Sequence, residues 1–402
     1  MEKYKTHIIN RIIAITACFI LILNIISCGR DDISSIEYYS NVPDVRRVIE
    51  PSESSISGVS LVPIKVDSME TSFIGHFWIK ADTLYFTDQY YLYVYSMRTD
   101  GSIIGRHVGK GRGPGEVPFF HFCVPFSDGY YMYAGSNASY RFDSKWRQTG
   151  VTPVHWGGKN YSEAKRKMNR PNPAETIFYQ EDASFSDHIQ QWDSTHVAMY
   201  VSCGLPKFNH YMNAELFYGY SRIIALVNVQ TGYVDRVFGR RSPVFLEKSN
   251  IPAFNSIGFA QTDDAVFVSF FPDSTIYILD KEIDQAIGKF GRQGRNMNTA
   301  YIRTYTLEDG YERERVDLNI FGYYSYLKYD KKRKLLFRGY SQGEHSQYDG
   351  LQIYKNNALI GDVDVPKGFS IVGYCNGQLI AAIEDKEIKE LALHFYFVNF
   401  IE

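Results

Sequence analysis

Residues 263–290, DDAVFVSFFPDSTIYILDKEIDQAIGKF, decide how the rest of this 402-residue chain is read. The turn residues Asp263-Asp264 open a run of β-branched and aromatic side chains from Val266 to Phe270, which is the pattern of a strand. A short apolar strand then ends on a polar residue, Ile278-Leu279-Asp280, and after a turn a third strand runs from Ile283 to Phe290. The polar-ended element recurs six times: Val94-Tyr95-Ser96, Arg141-Phe142-Asp143, Leu226-Val227-Asn228, Ile278-Leu279-Asp280, Ile353-Tyr354-Lys355 and Phe397-Val398-Asn399.

Each copy is preceded by another strand-like run, at Leu84 to Phe86, Tyr130 to Tyr133, Val197 to Val201, Val266 to Phe270, Leu335 to Phe337 and Leu379 to Ile383. The first five copies are followed by a turn and a further strand, as in Gly101 to Val108 and Gly232 to Phe238. The sixth has none before Glu402. Successive polar ends lie 47, 85, 52, 75 and 44 residues apart. Units of about 40–50 residues with four strands each are the mark of a β-propeller, and the two long gaps imply insertions. The expected fold is therefore all-β: a six-bladed β-propeller over 58–402, its last blade completed by an N-terminal strand at Ser60 to Val66. Three stretches read as inserted: Trp156 to Asp182, Gly204 to Ser221 and Asn296 to Asn319. Ser162 is placed to cap a short helix over the residues that follow it, and no other helix is expected.

Composition agrees with one large β body. Aromatic residues make up 16% of the chain, with 32 tyrosines. The formal net charge is −2, and about −4 once the first 27 residues are set aside, so there is no basic footprint for nucleic acid. Cys123, Cys203 and Cys375 lie in apolar or aromatic surroundings, and their odd number gives no disulfide framework. They read as small buried side chains.

The N-terminus carries a second message. Lys3, Lys5 and Arg11 precede an apolar stretch from Ile12 to Ile26, the layout of a secretory signal over 1–27. It ends Ile25-Ile26-Ser27-Cys28-Gly29, which resembles the lipobox of bacterial lipoproteins. That resemblance implies cleavage before Cys28 and lipid on its thiol. Arg30-Asp31-Asp32 resembles the acidic export tags of Bacteroides-type surface lipoproteins. The expected location is the cell envelope, on the outer membrane, with the periplasmic and surface-exposed sides both open. Residues 28–57, polar and with little periodicity, read as a flexible spacer holding the body roughly 30 Å from its anchor.

The lipobox, the six repeats and the segment His107-Val108-Gly109-Lys110-Gly111-Arg112-Gly113-Pro114-Gly115-Glu116-Val117 together resemble the six-bladed β-propeller lipoproteins of Bacteroides-type bacteria, related in architecture to TolB-like and NHL-type propellers. In that family such a Gly-basic segment closes a blade's outer strand and leads into the next blade. Degenerate copies stand at Phe238-Gly239-Arg240-Arg241 and Phe290-Gly291-Arg292-Gln293-Gly294-Arg295. The resemblance implies a fold and carries no catalytic residue set.

Gly109 to Gly115 tempts as a phosphate cradle, but no Ser or Thr follows Lys110 and the spacing is not that of a P-loop or dinucleotide fingerprint. It reads as a linking turn, with Arg112 and Glu116 paired. Neither G-x-S-x-G nor H-E-x-x-H is present, and Asp362-Val363-Asp364 lacks the Gly and distal Glu of a calcium loop. No cofactor or metal is expected. The aromatic insertion offers Phe208, His210, Tyr211, Phe217, Tyr218 and Tyr220 as rings that stack on sugars, with Arg112 as a further ligand contact. The competing expectation is that these rings pack the insertion onto the propeller.

Two classes of function follow. One is a membrane-tethered, noncatalytic binding or scaffold module for a glycan, peptide or protein partner, on the variable loops of a rigid ring. The other is an envelope hydrolase or lyase acting on glycans or peptides at the channel mouth, for which Asp88, His121, Asp187, His188 and Asp273 are the available acids and bases. The lack of a recognisable catalytic constellation favours the first.

Overall fold

The computed structural model describes residues 33–50, 53–113, 115–134, 138–156, 172–182, 188–205, 208–211, 213–248, 250–384 and 394–402. The chain enters its ring of sheets at β1 (Gly58–Ile64). Blade 1 is β2 (Gly75–Lys80), β3 (Thr83–Asp88), β4 (Tyr93–Met97) and β5 (Ile103–His107). Blade 2 is β6 (Phe122–Phe126), β7 (Gly129–Ala134), β8 (Ala138–Phe142) and β9 (Gln148–Pro153). In blade 3 the short β10 (Tyr179–Glu181) and β11 (Ile189–Gln191) both pair with β12 (His196–Cys203), followed by β13 (Ile224–Asn228) and β14 (Val234–Phe238). Blade 4 is β15 (Ile257–Gln261), β16 (Ala265–Phe270), β17 (Ile276–Asp280) and β18 (Ala286–Phe290). Blade 5 is β19 (Tyr323–Asp330), β20 (Leu335–Ser341), β21 (Tyr348–Lys355) and β22 (Ala358–Pro366). Blade 6 is β23 (Phe369–Cys375), β24 (Gln378–Ile383) and β25 (His394–Ile401), and its outer strand is β1, antiparallel to β25 from Gly58 opposite Ile401 to Ile64 opposite Phe395.

The six polar-ended copies fall on the third strand of the six blades, β4, β8, β13, β17, β21 and β25, and the runs before them on the second. The opening stretch supplies β16, β17 and β18. Polar side chains on inner strands tie neighbouring blades together: His76 Nε2 lies 3.1 Å from the Cys123 carbonyl, and Gln190 Nε2 donates to the Phe259 carbonyl at 2.6 Å. Between blades 1 and 2 the aromatic content becomes a stack, with Trp78 on Tyr85 at 4.0 Å and Tyr130 on Trp146 at 3.7 Å between ring centres. Cys123, Cys203 and Cys375 are buried and unpaired.

Two expectations are corrected. Described residues of the supposed spacer lie against the ring as a belt. Ser34 caps a helix α1 (Ser35–Ser40), accepting from the Glu37 amide at 3.3 Å. Tyr38, Tyr39 and Val42 are buried, and the Tyr39 hydroxyl donates to the Arg240 carbonyl at 2.7 Å. The chain then bridges in parallel to outer strands, Asp44 to Lys289 of β18, then Arg47 to Ala358 and Ile56 to Gly361 of β22, before becoming β1. Burial of two adjacent tyrosines against blades 3 and 4 outweighs the polar composition around them. Helices other than the one expected after Ser162 are also present: α2 (Ala214–Tyr220), α3 (Val244–Lys248) and α4 (Leu307–Ile320). The helix expected after Ser162 falls outside the described residues. No helix among the described residues is long and apolar enough to cross a membrane.

Candidate functional site

Because strands alternate in direction, connections alternate between two faces. On one face run the first-to-second and third-to-fourth strand turns, none longer than five residues. The other receives the longer connections between strands, including 108–121, 204–223 and 291–322. This insertion face carries the described residues of 204–221 and 296–319, two of the stretches singled out in the sequence; residues 157–171 of the third fall outside the described residues.

It also holds the exposed rings. Among the described residues, six Phe, Tyr or Trp side chains are exposed: Tyr90, Tyr91, Phe119, Tyr305, Tyr311 and Tyr348. All six sit in connections or strand ends of the insertion face, whereas the exposed large side chains of the rim, such as Val62, Ile104, Val151 and Ile287, are aliphatic. Exposed aromatic rings gathered on one side are the composition of a recognition surface, since a ring supplies large contact area with few rotors to freeze.

Polar contacts hold the segments that carry four of these rings. Asp88, fully buried, accepts from the Tyr90 and Tyr91 amides at 2.9 and 2.8 Å, and from Thr71 Oγ1 and Ser72 Oγ at 2.7 and 2.8 Å. It thereby fixes the turn carrying two rings. Tyr305 and Tyr311 flank the start of α4, where Thr306 Oγ1 accepts from the Asp309 amide at 3.0 Å. The Tyr211 hydroxyl donates to Glu314 Oε2 at 2.5 Å and its ring lies 4.9 Å from that of Tyr311. Tyr211 meets the helix at Gly310, where a Cβ would come within 2.4 Å of the ring. Two insertions from different blades are thus joined into one platform.

The aromatic insertion divides. Phe208, Phe217 and Tyr218 are core residues, Tyr218 at 0% exposure with its hydroxyl on Asn255 Oδ1 at 2.8 Å and its ring stacked on Phe245. Such rings have no face left for a sugar, which corrects the expectation for Phe208 and Tyr218. Burial pushes the His210 imidazole down to about 3, and its Nε2 is buried without a hydrogen bond. Tyr211 and Tyr220 remain half-buried. Beneath them Arg241, fully buried, donates to Ser221 Oγ at 3.1 Å and the Asn255 carbonyl at 2.8 Å while lying 4.3 Å from the Phe217 ring centre.

Arg112 is exposed on the same face, but it forms no ion pair with Glu116. Glu116 Oε2 accepts the Gly113 amide at 2.8 Å, and a Cβ on Gly111 would fall 1.9 Å from that oxygen. Gly111 thus makes room for a carboxylate, while Gly115 (φ 79°) supplies the positive φ expected of a linking turn. In the degenerate copies the basic residues latch onto blade 5 or the blade 4 rim: Arg295 to Asp364 at 3.2 Å, Arg292 to Asp362 at 3.4 Å and Arg240 to Asp284 at 2.8 Å.

The candidate acids and bases do not converge. Asp273 accepts from Ser242 Oγ, the Thr275 amide and the Tyr277 hydroxyl, and His188 bridges the Asp182 and Ile257 carbonyls at 2.9 and 3.1 Å. Both hold blades together, as Asp88 holds its turn. Burial lowers the His121 pKa, and its amide donates to the Tyr133 carbonyl. Asp187 lies outside the described residues. On α4, burial raises the carboxyl of Asp317 despite Arg313 at 3.3 Å one turn earlier. The exposed rings were missed in the sequence because Tyr305 and Tyr311 border a helix that has no apolar stripe. The signal that could have found it is Thr306-Leu307-Glu308-Asp309, a cap residue followed by acids.

A six-bladed β-propeller with a ring-bearing insertion face is the class this geometry defines. Its fold is similar to that of a member of the DUF4221 family from Bacteroides vulgatus, with a TM-score of 0.62 at 13% identity over 86% of this chain and 99% of that one. It is also similar to a protein of Bacteroides fragilis described as exported, with a TM-score of 0.52 at 14% identity over 90% of this chain and 100% of that one. At these identities the likeness is one of fold. No family model and no curated protein matches the sequence.

Proposed function

We propose that this chain is a noncatalytic recognition module of the bacterial cell envelope, whose insertion face binds a glycan, peptide or protein partner. The observation that carries it is the placement of all six exposed aromatic rings among the described residues on that face. A rigid ring whose long loops converge on one side separates recognition from stability, so contact residues are free to vary. Replacing Tyr305 and Tyr311 together by Ser is expected to weaken retention of a partner, captured from detergent extract or on a glycan screen, by tenfold or more, about 1–2 kcal/mol per central tyrosine. The melting temperature should fall by no more than about 2 °C, because Tyr305 stands in water and Tyr311 gives up only its exposed contact with the Tyr211 ring. Unchanged retention, or a melting temperature that falls in step with it, counts against the ring face.

The same proposal places the protein on the outer membrane through lipid on Cys28. Support comes from the signal-like segment, the lipobox resemblance and the exported description of the fold neighbour from Bacteroides fragilis. With the belt starting at Ile33, where Arg240 Nε donates to the carbonyl at 3.4 Å, only five residue steps separate Cys28 from the body. Extended chain covers at most about 18 Å in that number. The propeller rim at blades 3 and 4 therefore sits close to the bilayer. Cys28→Ser is expected to move the protein from the membrane fraction to the soluble fraction with unchanged melting; continued sedimentation with membranes speaks against the lipid anchor.

A further inference from the structure

The turn face, opposite the rings, carries a cavity of about 280 Å³ between blades 4 and 5. Its walls are four rings, Phe267 and Phe290 from blade 4 and Tyr329 and Tyr354 from blade 5. Phe290 and Tyr354 are buried at the floor, and Phe267 and Tyr329 are half-buried, set edge to face with ring centres 5.5 Å apart. The mouth is formed by Lys334, from the β19–β20 turn, and by Asn356 and Asn357, from the β21–β22 turn. Among the described residues the Lys334 ammonium and both side-chain amides have no hydrogen bond or ion pair, although other polar side chains of the turn face, such as Lys331 on Asp263, have found partners.

The mouth is also preorganised. Lys334, Asn356 and Asn357 all hold positive φ, at 54°, 47° and 64°. The belt secures the turn from outside: the Arg47 amide donates to the Asn357 carbonyl at 3.3 Å and its guanidinium to the Asn356 carbonyl at 3.4 Å. Glu53 in turn holds that guanidinium with two bonds of 2.8 and 2.9 Å.

We propose that this cavity binds a single acidic pyranose, a hexuronate residue. The volume lies just below the ~300–1,000 Å³ usual for small-molecule sites, which limits the ligand to one ring. Aromatic walls suit the C–H faces of a pyranose. Two amides, each both donor and acceptor, match vicinal hydroxyls, which a phenyl ring lacks. The unpaired ammonium at the mouth takes the carboxylate, with Lys332 adding positive charge to the approach while Lys331 and Arg333 are paired with Asp263 and Asp330. This site lies on the face away from the exposed rings, so its failure and that of the ring face are read separately.

The test is calorimetric titration of the full-length chain in detergent with glucuronate, glucose and phenylacetate, repeated on two variants whose new side chains tolerate the local backbone. Glucuronate is expected to bind about fivefold more tightly than glucose, the worth of one partly solvated ion pair. Lys334→Asn should erase that difference by weakening glucuronate alone, and Asn357→Gly should weaken both sugars equally. Absence of saturable glucuronate binding overturns the proposal. So does glucuronate binding that survives Lys334→Asn undiminished, or phenylacetate binding as tight as glucuronate, which would show a pocket for aromatic carboxylates instead.

Discussion

Arg338→Ala is expected to cost about 3–5 kcal/mol of stability, from acceptors left without donors and from the void a large buried side chain leaves. Arg338 stands on β20 of blade 5 at 0% exposure, and its three nitrogens reach into blade 4. Nε donates to Ser269 Oγ at 2.8 Å, Nη1 to the Ser274 carbonyl at 2.7 Å and Nη2 to the Asp273 carbonyl. The guanidinium also lies 3.2 Å from the centre of the Tyr324 ring. Alanine leaves the buried Asp273 carbonyl and the part-buried Ser274 carbonyl without these donors and opens a void beside the ring, so desolvation and packing losses add. Lysine does not rescue it, because a single ammonium cannot reproduce a planar fork with three separate acceptors. For a body of this size the loss corresponds to a fall of roughly 5 °C in melting temperature. A change below about 1 kcal/mol in denaturant unfolding would show that blades 4 and 5 are held by apolar contact alone.

Deleting residues 1–64 is expected to abolish folding, whereas deleting residues 1–32 leaves melting unchanged. The longer deletion removes the seven-residue pairing of β1 with β25 and with it the closure of blade 6. It also strips Tyr38, Tyr39 and Val42 from their buried places, including the Tyr39 ring 4.1 Å from that of Tyr277. Burial of each large side chain is worth roughly 1.5–3 kcal/mol, so the combined loss is comparable with the ~5–15 kcal/mol that keeps a domain folded. The freed edge of β25 is in addition a template for aggregation. Soluble yield, gel filtration and thermal circular dichroism distinguish the cases; a 65–402 fragment melting within a few degrees of the full chain would show that the ring closes without β1.

The repeat was legible because each third strand ends on a polar residue at the turn face, so Ser96, Asp143, Asn228, Asp280, Lys355 and Asn399 mark blades at intervals even where insertions intervene. The belt was not legible. Tyr38, Val42 and Val45 do fall at helical spacing, but over less than two turns and with Pro43 among them, too short a run to announce a buried face; what covers them is blades 3, 4 and 5, more than 150 residues away in sequence. The aromatic stretch from Phe208 to Tyr220 and the rings at Tyr305 and Tyr311 look alike in composition, yet the first mostly packs inward and the second stands in water. Local alternation cannot separate them when a strand such as β7 is buried along its whole length.

Turn and strand chemistry are properties of short segments, and through them the sequence by itself determined the all-β class, the number of units and the places where extra chain is inserted. The reading of residues 1–28 as a signal and lipobox rests on the sequence alone. Only the tertiary structure decided which face the insertions share, which rings remain exposed there, that the supposed spacer is a belt, and that Lys334, Asn356 and Asn357 meet four rings at one cavity. Each of those depends on segments distant in the chain competing for the same buried surface, and no local pattern records the outcome of that competition.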